Sequence, residues 1–146
     1  MMFQYKFGKI LSIREKEKAD ALSKYNESMK RFEEAAEKLY KLLKKKEELL
    51  DFQQEKLVTG LSVQDIRQHQ LFMDNLEKII EQNQKTVMET RYIMNKRQQE
   101  LMDKNVEVRK YEKIKENDFT RFLDGMKEEE NKSMDEISIR QFLNKG

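Results

Sequence analysis

Proline, cysteine and tryptophan are absent from this 146-residue chain, and glycine occurs four times, at Gly8, Gly60, Gly125 and Gly146. Compact α/β and all-β domains need a turn every ten residues or so, and turns draw on Gly and Pro. Those fold classes are excluded by the shortage. The missing cysteines exclude disulfide scaffolds and cysteine-ligated zinc or iron–sulfur sites. The longest strictly apolar runs are of the length of Leu71-Phe72-Met73 and Tyr92-Ile93-Met94. Runs that short cannot build a transmembrane span or a signal-peptide core, so an intracellular, soluble chain is expected. Charge is plentiful but balanced, with 30 basic and 28 acidic residues, net +2. That balance singles out neither nucleic acid nor an anionic membrane as a partner. Long helix, coiled coil and disorder remain.

Periodicity decides among these. From residue 22 one row of a seven-residue repeat reads Leu22, Met29, Ala36, Leu43, Leu50 and Leu57. Its companion row reads Tyr25, Phe32, Leu39, Lys46 and Gln53. A 3-4 spacing of this kind is the seam of a left-handed coiled coil. A second repeat follows residue 60: Ile66, Met73, Ile80, Val87, Met94, Leu101, Val108, Lys115 and Phe122. Its companion row is more polar, with His69, Leu76, Asn83, Thr90, Arg97, Lys104, Tyr111 and Asp118. A seam this narrow buries little, and partners are expected to complete it.

Between the repeats, Gly60 suits the positive-φ position after a helix. Ser62 suits an N-cap with Asp65 three residues on, and Leu61 and Ile66 form a hydrophobic staple pair. Stop and start signals this close give a tight loop and antiparallel neighbours. Reversed pairing sets Leu57 against Ile66, Leu50 against Met73, Leu43 against Ile80 and Leu22 against Leu101. The predicted fold is therefore all-α: a long antiparallel two-helix coiled coil, a helical hairpin turning near Gly60. It forms a single domain over 1–146. Helix 1 covers about 8–59, the turn 60–62, and helix 2 about 63–124, either continuing to about 143 or followed by a short separate helix after a break near Gly125. At ~1.5 Å per residue, a helix of about 50 residues spans roughly 75 Å. Glu15 falls opposite Val108 and Lys18 near Asn105, so the seam is expected to fray there. The open end carries Phe3, Tyr5, Phe7, Ile10 and Leu11 on one strand and Phe119, Phe122 and Leu123 on the other.

No catalytic constellation is visible. His69 is the single histidine, and a ligand or acid–base role needs convergent partners; it reads as a half-buried seam residue. No phosphate-binding glycine loop is present. Carboxylates alternate with lysines at helical spacing, where ion pairs add only tenths of a kcal/mol. A two-helix rod has no concavity to exclude water. The expectation is a non-enzyme with no cofactor and no metal. Lys38, Lys41, Lys44, Lys45 and Lys46 form a basic cluster without an aromatic platform, which reads as a solvated face and not as a nucleic-acid site. Phe72, Leu76, Ile79 and Asn83 share an arc of about 60° beside the second seam row. They form either a partner surface or a patch covered by Tyr40 or Phe52.

Phe3-Gln4-Tyr5-Lys6-Phe7 with Ile10-Leu11, the turn Gly60-Leu61-Ser62-Val63-Gln64, the run Gln70-Leu71-Phe72-Met73-Asp74-Asn75-Leu76-Glu77 and the tail Met134-Asp135-Glu136-Ile137-Ser138 together resemble the flagellar export protein FliJ family. The resemblance covers essentially the whole chain. It looks closest to the form found in Gram-positive, spore-forming bacteria. It implies a stalk-like coiled coil of the flagellar type III export apparatus. Implied partners are the flagellar export ATPase ring, the cytoplasmic domain of the membrane export gate, and export chaperones. By that resemblance Phe72, Leu76, Ile79 and Asn83 would meet the gate, and Phe3, Phe7, Ile10, Leu11, Phe119 and Phe122 the ATPase ring. The protein would be cytoplasmic, attached to the membrane's inner face through protein contacts only, and monomeric when isolated. A chaperone or escort for export substrates and a structural coiled-coil spacer stand as alternatives.

Overall fold

The computed structural model describes residues 2–145. Two helices carry nearly all of them: α1, Gly8–Thr59, and α2, Val63–Lys145. With no proline to break the backbone ladder, they extend without interruption over 52 and 83 residues respectively. The two helices pack against each other antiparallel, the all-α hairpin anticipated from the two repeats. The chain divides into two compact units, Ala21–Leu101 and a second made of residues up to Asp20 with Met102 onward.

The Ala21–Leu101 unit contains the turn. Gly60 takes φ 97°, the left-handed conformation that disfavours a Cβ. Its N–H donates to the Lys56 carbonyl at 2.8 Å, the bond of an αL helix stop. The Asp65 N–H donates to Ser62 Oγ at 3.1 Å, so Ser62 caps α2. Met73, Leu76 and Ile80 of α2 are buried, with Ala21 and Ser28 of α1. Ser28 Oγ donates to the Tyr25 carbonyl at 2.7 Å, which satisfies its hydroxyl inside the seam. Lys46 Nζ lies 3.6 Å from Glu77, the neighbour that the reversed pairing assigns to it.

The second repeat forms the α2 seam as read, alternating Met73, Leu76, Ile80, Asn83, Val87, Thr90 and Met94 at buried or half-buried positions. On α1 the companion row Tyr25, Phe32, Leu39, Lys46 and Gln53 also lies in the seam. The other row differs from expectation. Ala21, Ser28, Ala35, Leu42 and Leu49 complete the α1 seam, one residue before Leu22, Met29, Ala36, Leu43 and Leu50. Leu43 and Leu50 remain 43% and 42% exposed. Both rows are spaced to flank the Tyr25/Phe32/Leu39 row; the enclosed one is smaller at Ala21 and Ser28 than its neighbour is at Leu22 and Met29, and matches that neighbour in residue type at 35, 42 and 49. Ala21, Ser28 and Ala35 leave room for the large knobs of α2, which bulkier residues would crowd.

In the other unit, the extended residues 2–7 lead into α1, with the Gly8 N–H donating to the Tyr5 carbonyl at 3.2 Å and the Leu11 N–H to the Phe7 carbonyl at 2.9 Å. The expected fraying does not occur. Val108 is 2% exposed, the most enclosed of the core residues, and Leu11 is buried as well. Lys104 Nζ donates to Glu17 at 3.1 Å, and Arg14 donates to the same carboxylate at 3.1 Å. The charged contact formed here is neither of the expected pairs, Glu15 with Val108 or Lys18 with Asn105, but Glu17 with Lys104. Glu17 is held below the usual carboxylate range, first by the Lys104 hydrogen bond and then by that of Arg14. Continuing α2 runs through Gly125, where a glycine costs only about 1 kcal/mol in a helix. From Leu123 to Asn144 every side chain is exposed.

Candidate partner-binding surfaces

Surfaces rather than clefts are the sites to weigh, and helix geometry sorts them. At 100° per residue, the row just before a seam position and the row just after it lie on opposite sides of the seam. Lys45 Nζ sits 5.4 Å from the centre of the Phe72 ring, which sets these two rows on one side. Glu100 and Lys24 lie in the same two rows. The Glu100 carboxyl is held low by its hydrogen bond to Arg97, then by the fields of Arg97, Lys96 and Lys24. This first flank therefore shows Lys24, Arg31, Lys38, Lys45 and Phe52 on α1 beside Phe72, Ile79, Thr86, Ile93 and Glu100 on α2. The opposite flank shows Leu22, Leu43, Leu50 and Leu57 on α1 beside Gln70, Glu77, Gln84 and Arg91 on α2.

The four residues read as one partner face split between flank and core. Phe72 and Ile79 are 46% and 47% exposed, whereas Leu76 is 4% exposed and belongs to the seam. Asn83 is half-buried, and its Nδ2 donates to the Ile79 carbonyl at 2.8 Å. An accessible Leu76 is thus corrected to a buttress. It lies between the turns that carry Phe72 and Ile79 and anchors them to α1. Neither Tyr40 nor Phe52 seals the face. Tyr40 is exposed on another row, and Phe52 is itself half-exposed, with Lys56 Nζ 5.6 Å from its ring centre. Phe52 and Phe72 instead line one open groove of about 560 Å³ by the turn, with Leu49, Leu61 and His69. His69 is half-buried there, and its Nε2 has no hydrogen-bond partner.

The aromatic end is largely used internally. Phe3 packs against Phe119 and Phe122, with ring centres 5.2 Å and 5.5 Å apart. Phe7 meets Tyr5 at 5.9 Å and Tyr111 at 6.3 Å. Tyr5 Oη donates to the Tyr111 carbonyl at 2.8 Å, and loss of solvation, with Asp118 and Tyr111 nearby, pushes the phenol up. Such edge-on ring pairs add about 0.5–1.5 kcal/mol each beyond area burial. Of the six residues assigned to this end by resemblance, Leu11 is buried and Phe3, Phe7 and Phe122 are half-buried; Ile10 and Phe119 remain exposed. Spacing marks Tyr111 as a seam position but carries no signal that its carbonyl anchors Tyr5.

The lysine cluster does not form one face. Lys41 pairs with Glu37 at 3.3 Å, Lys46 with Glu77, and Lys45 covers Phe72. Lys38 and Lys45 share the first-flank row, whereas Lys41, Lys44 and Lys46 lie along other rows of α1.

Sequence comparison identifies the chain: it matches the flagellar FliJ protein family over residues 3–146. The chain belongs to that family. A flagellar FliJ protein of Bacillus subtilis (strain 168) is 44% identical over 146 residues, spanning 100% of this chain and 99% of the relative. Among solved structures, the YscO homolog CT670 from Chlamydia trachomatis superposes with a TM-score of 0.66, covering 99% of this chain and 96% of that one at 19% identity. At that identity the likeness is one of fold: a FliJ-family chain and a YscO homolog share the paired long helices.

Proposed function

We propose that this FliJ-family protein is a non-enzymatic component of flagellar type III protein export that binds both the export ATPase ring and the cytoplasmic domain of the export gate. Family membership over the whole chain supports the export role. The observation that carries the gate contact is the half-exposed Phe72/Ile79 pair, held rigid by buried Leu76. Apolar side chains that stay exposed on a helix while their neighbour is locked in the core are preorganised anchors for a partner. Asn83 adds a side-chain oxygen free to accept, since its amide nitrogen is already bonded to Ile79. The ATPase contact falls to the aromatic end, through Ile10 and Phe119 on the surface, with Phe3, Phe7, Leu11 and Phe122 shaping the cluster beneath. Coupling is mechanical: one chain touches both machines, and nucleotide cycling in the ring reaches the gate through it. Export chaperones are further partners. No helix of the described residues is long and apolar enough to cross a membrane, so attachment at the membrane's cytoplasmic face runs through protein contacts. Isolated, the hairpin is monomeric.

Two titrations test this reading. Added to the cognate ATPase, the purified protein raises ring assembly or hydrolysis; no effect at saturation refutes the stalk role and leaves the escort or spacer roles. Added to the gate's cytoplasmic domain, the Phe72→Ala/Ile79→Ala variant loses binding while its helical melting stays near that of the parent. A variant that melts much earlier yet still binds would remove Phe72 and Ile79 from the gate surface.

A further inference from the structure

The flank opposite Phe72 holds a feature that the gate and ATPase contacts leave unused. Leu43, Leu50 and Leu57 repeat every seven residues on α1, outside the seam, and all three are exposed. Seven-residue spacing of leucines on an exposed helix row is the pattern that receives the knobs of another helix. Strands and irregular loops do not match it. The charges beside the row fix which helix. The row next outward on α1 carries Glu33 and Glu47, and the facing rows of α2 carry Asp74, Glu77 and Glu81. Arg67 and Arg91 stand at the two ends of that stretch, and no lysine lies in these rows between them. Of the α1 lysines near here, Lys38 and Lys45 belong to the other side of the seam, Lys44 lies on the outer face, and Lys46 reaches Glu77 from within the seam at 3.6 Å, which leaves Glu47, Asp74 and Glu81 as the acidic frame.

We propose that Leu43, Leu50 and Leu57, framed by Glu47, Asp74 and Glu81, bind the apolar stripe of a basic amphipathic helix from a second protein. The leucines bury the stripe, and the carboxylates pair with lysine or arginine at its margins. Acidic margins select against acidic helices by like-charge repulsion. They also select against a second copy of this chain on the same flank, because two such acidic frames would then face each other. The site is independent of the Phe72/Ile79 flank, so both can be occupied together.

A synthetic helical peptide with leucine heptads and lysine at the flanking positions is the probe, and fluorescence anisotropy with the full chain is the readout. The lysine-flanked peptide binds, and the same peptide with glutamate flanks binds about tenfold more weakly or worse. Leu43→Gln/Leu50→Gln weakens the lysine peptide by about tenfold, as expected for loss of central anchors. Glu47→Lys/Glu81→Lys, at exposed positions that leave folding intact, reverses the preference between the two peptides. Phe72→Ala/Ile79→Ala leaves the lysine peptide's affinity unchanged, which separates this site from the gate surface. The inference is overturned if neither peptide binds, if both bind equally, or if the Phe72/Ile79 variant loses as much as the leucine variant. It is also overturned if sedimentation shows a dimer that the leucine variant dissolves. Should the leucine variant lose its helical circular dichroism, the charge-reversed variant decides.

Discussion

The two flanks of the Ala21–Leu101 unit share a backbone, a seam and a degree of exposure, yet they differ in how apolar surface is combined with charge. On one, Phe72 and Ile79 of α2 sit beside Lys38 and Lys45 of α1, with Lys45 laid over the Phe72 ring. On the other, the leucines belong to α1 and the carboxylates mostly to the margins. A two-helix seam needs only its two inner rows. Apolar residues on both outer flanks exceed what the hairpin requires for itself. Opposite charge beside them means that the two proposed surfaces would select different partners.

The sharpest way to break this comparison is to exchange a flank residue for its core neighbour. Leu76→Ala is expected to cost about 2–5 kcal/mol in denaturant unfolding, the range for a buried leucine. Ile79→Ala, one turn along and half-exposed, is expected to cost less than about 1 kcal/mol. Equal losses would place Ile79 in the core and remove it from the partner surface. On α1, Leu50→Ala is likewise expected to cost well under the loss for Leu49→Ala, its half-buried neighbour. The reverse order would restore the Leu22/Leu43/Leu50 row to the seam.

Smaller is the effect expected at the turn. Gly60→Ala places a Cβ in open space, since no atom lies within 4 Å of it, but at φ +97°. The cost is purely conformational, about 1–2 kcal/mol, read as a lower melting temperature with both flanks still binding.

Smallest is a pH effect on the cationic flank. Glu100 has its carboxyl lowered in the folded state, chiefly by Arg97. Its contribution is therefore present above the ordinary carboxylate value of 4.5 and is lost as pH falls through the lower folded value. The wild-type melting temperature should fall more than that of Glu100→Gln as pH drops through that window. Parallel curves would mean that the Arg97 pairing adds nothing, as many exposed ion pairs do.

Much of this was legible in advance. Gly60, Ser62 and Asp65 marked the turn because their roles depend on local backbone geometry and on a bond three residues away. The α2 seam was legible because its row from Ile66 to Phe122 is apolar at every position but Lys115, while the rows beside it are mixed. The α1 seam was not, because Leu22, Leu43 and Leu50 compete with Ala21, Leu42 and Leu49 for the same phase. The Phe72 face was half legible: its residues were identified, but the burial of Leu76 was not. The stretch where Glu15 faces Val108 and Lys18 lies near Asn105 reads as frayed from spacing, because a Glu17 carboxylate shared between Arg14 and Lys104 is invisible until the helices are opposed.

Sequence alone determined the all-helical class, the turn and the pairing of two in-phase repeats, since these follow from composition, local capping and periodicity. Tertiary structure decided which of two adjacent α1 rows is enclosed, because that depends on the volume of the α2 side chains it must accommodate. It also decided what the surplus is. Rows denied the interior became flanks, and only the opposed helices show which charges stand beside which apolar row.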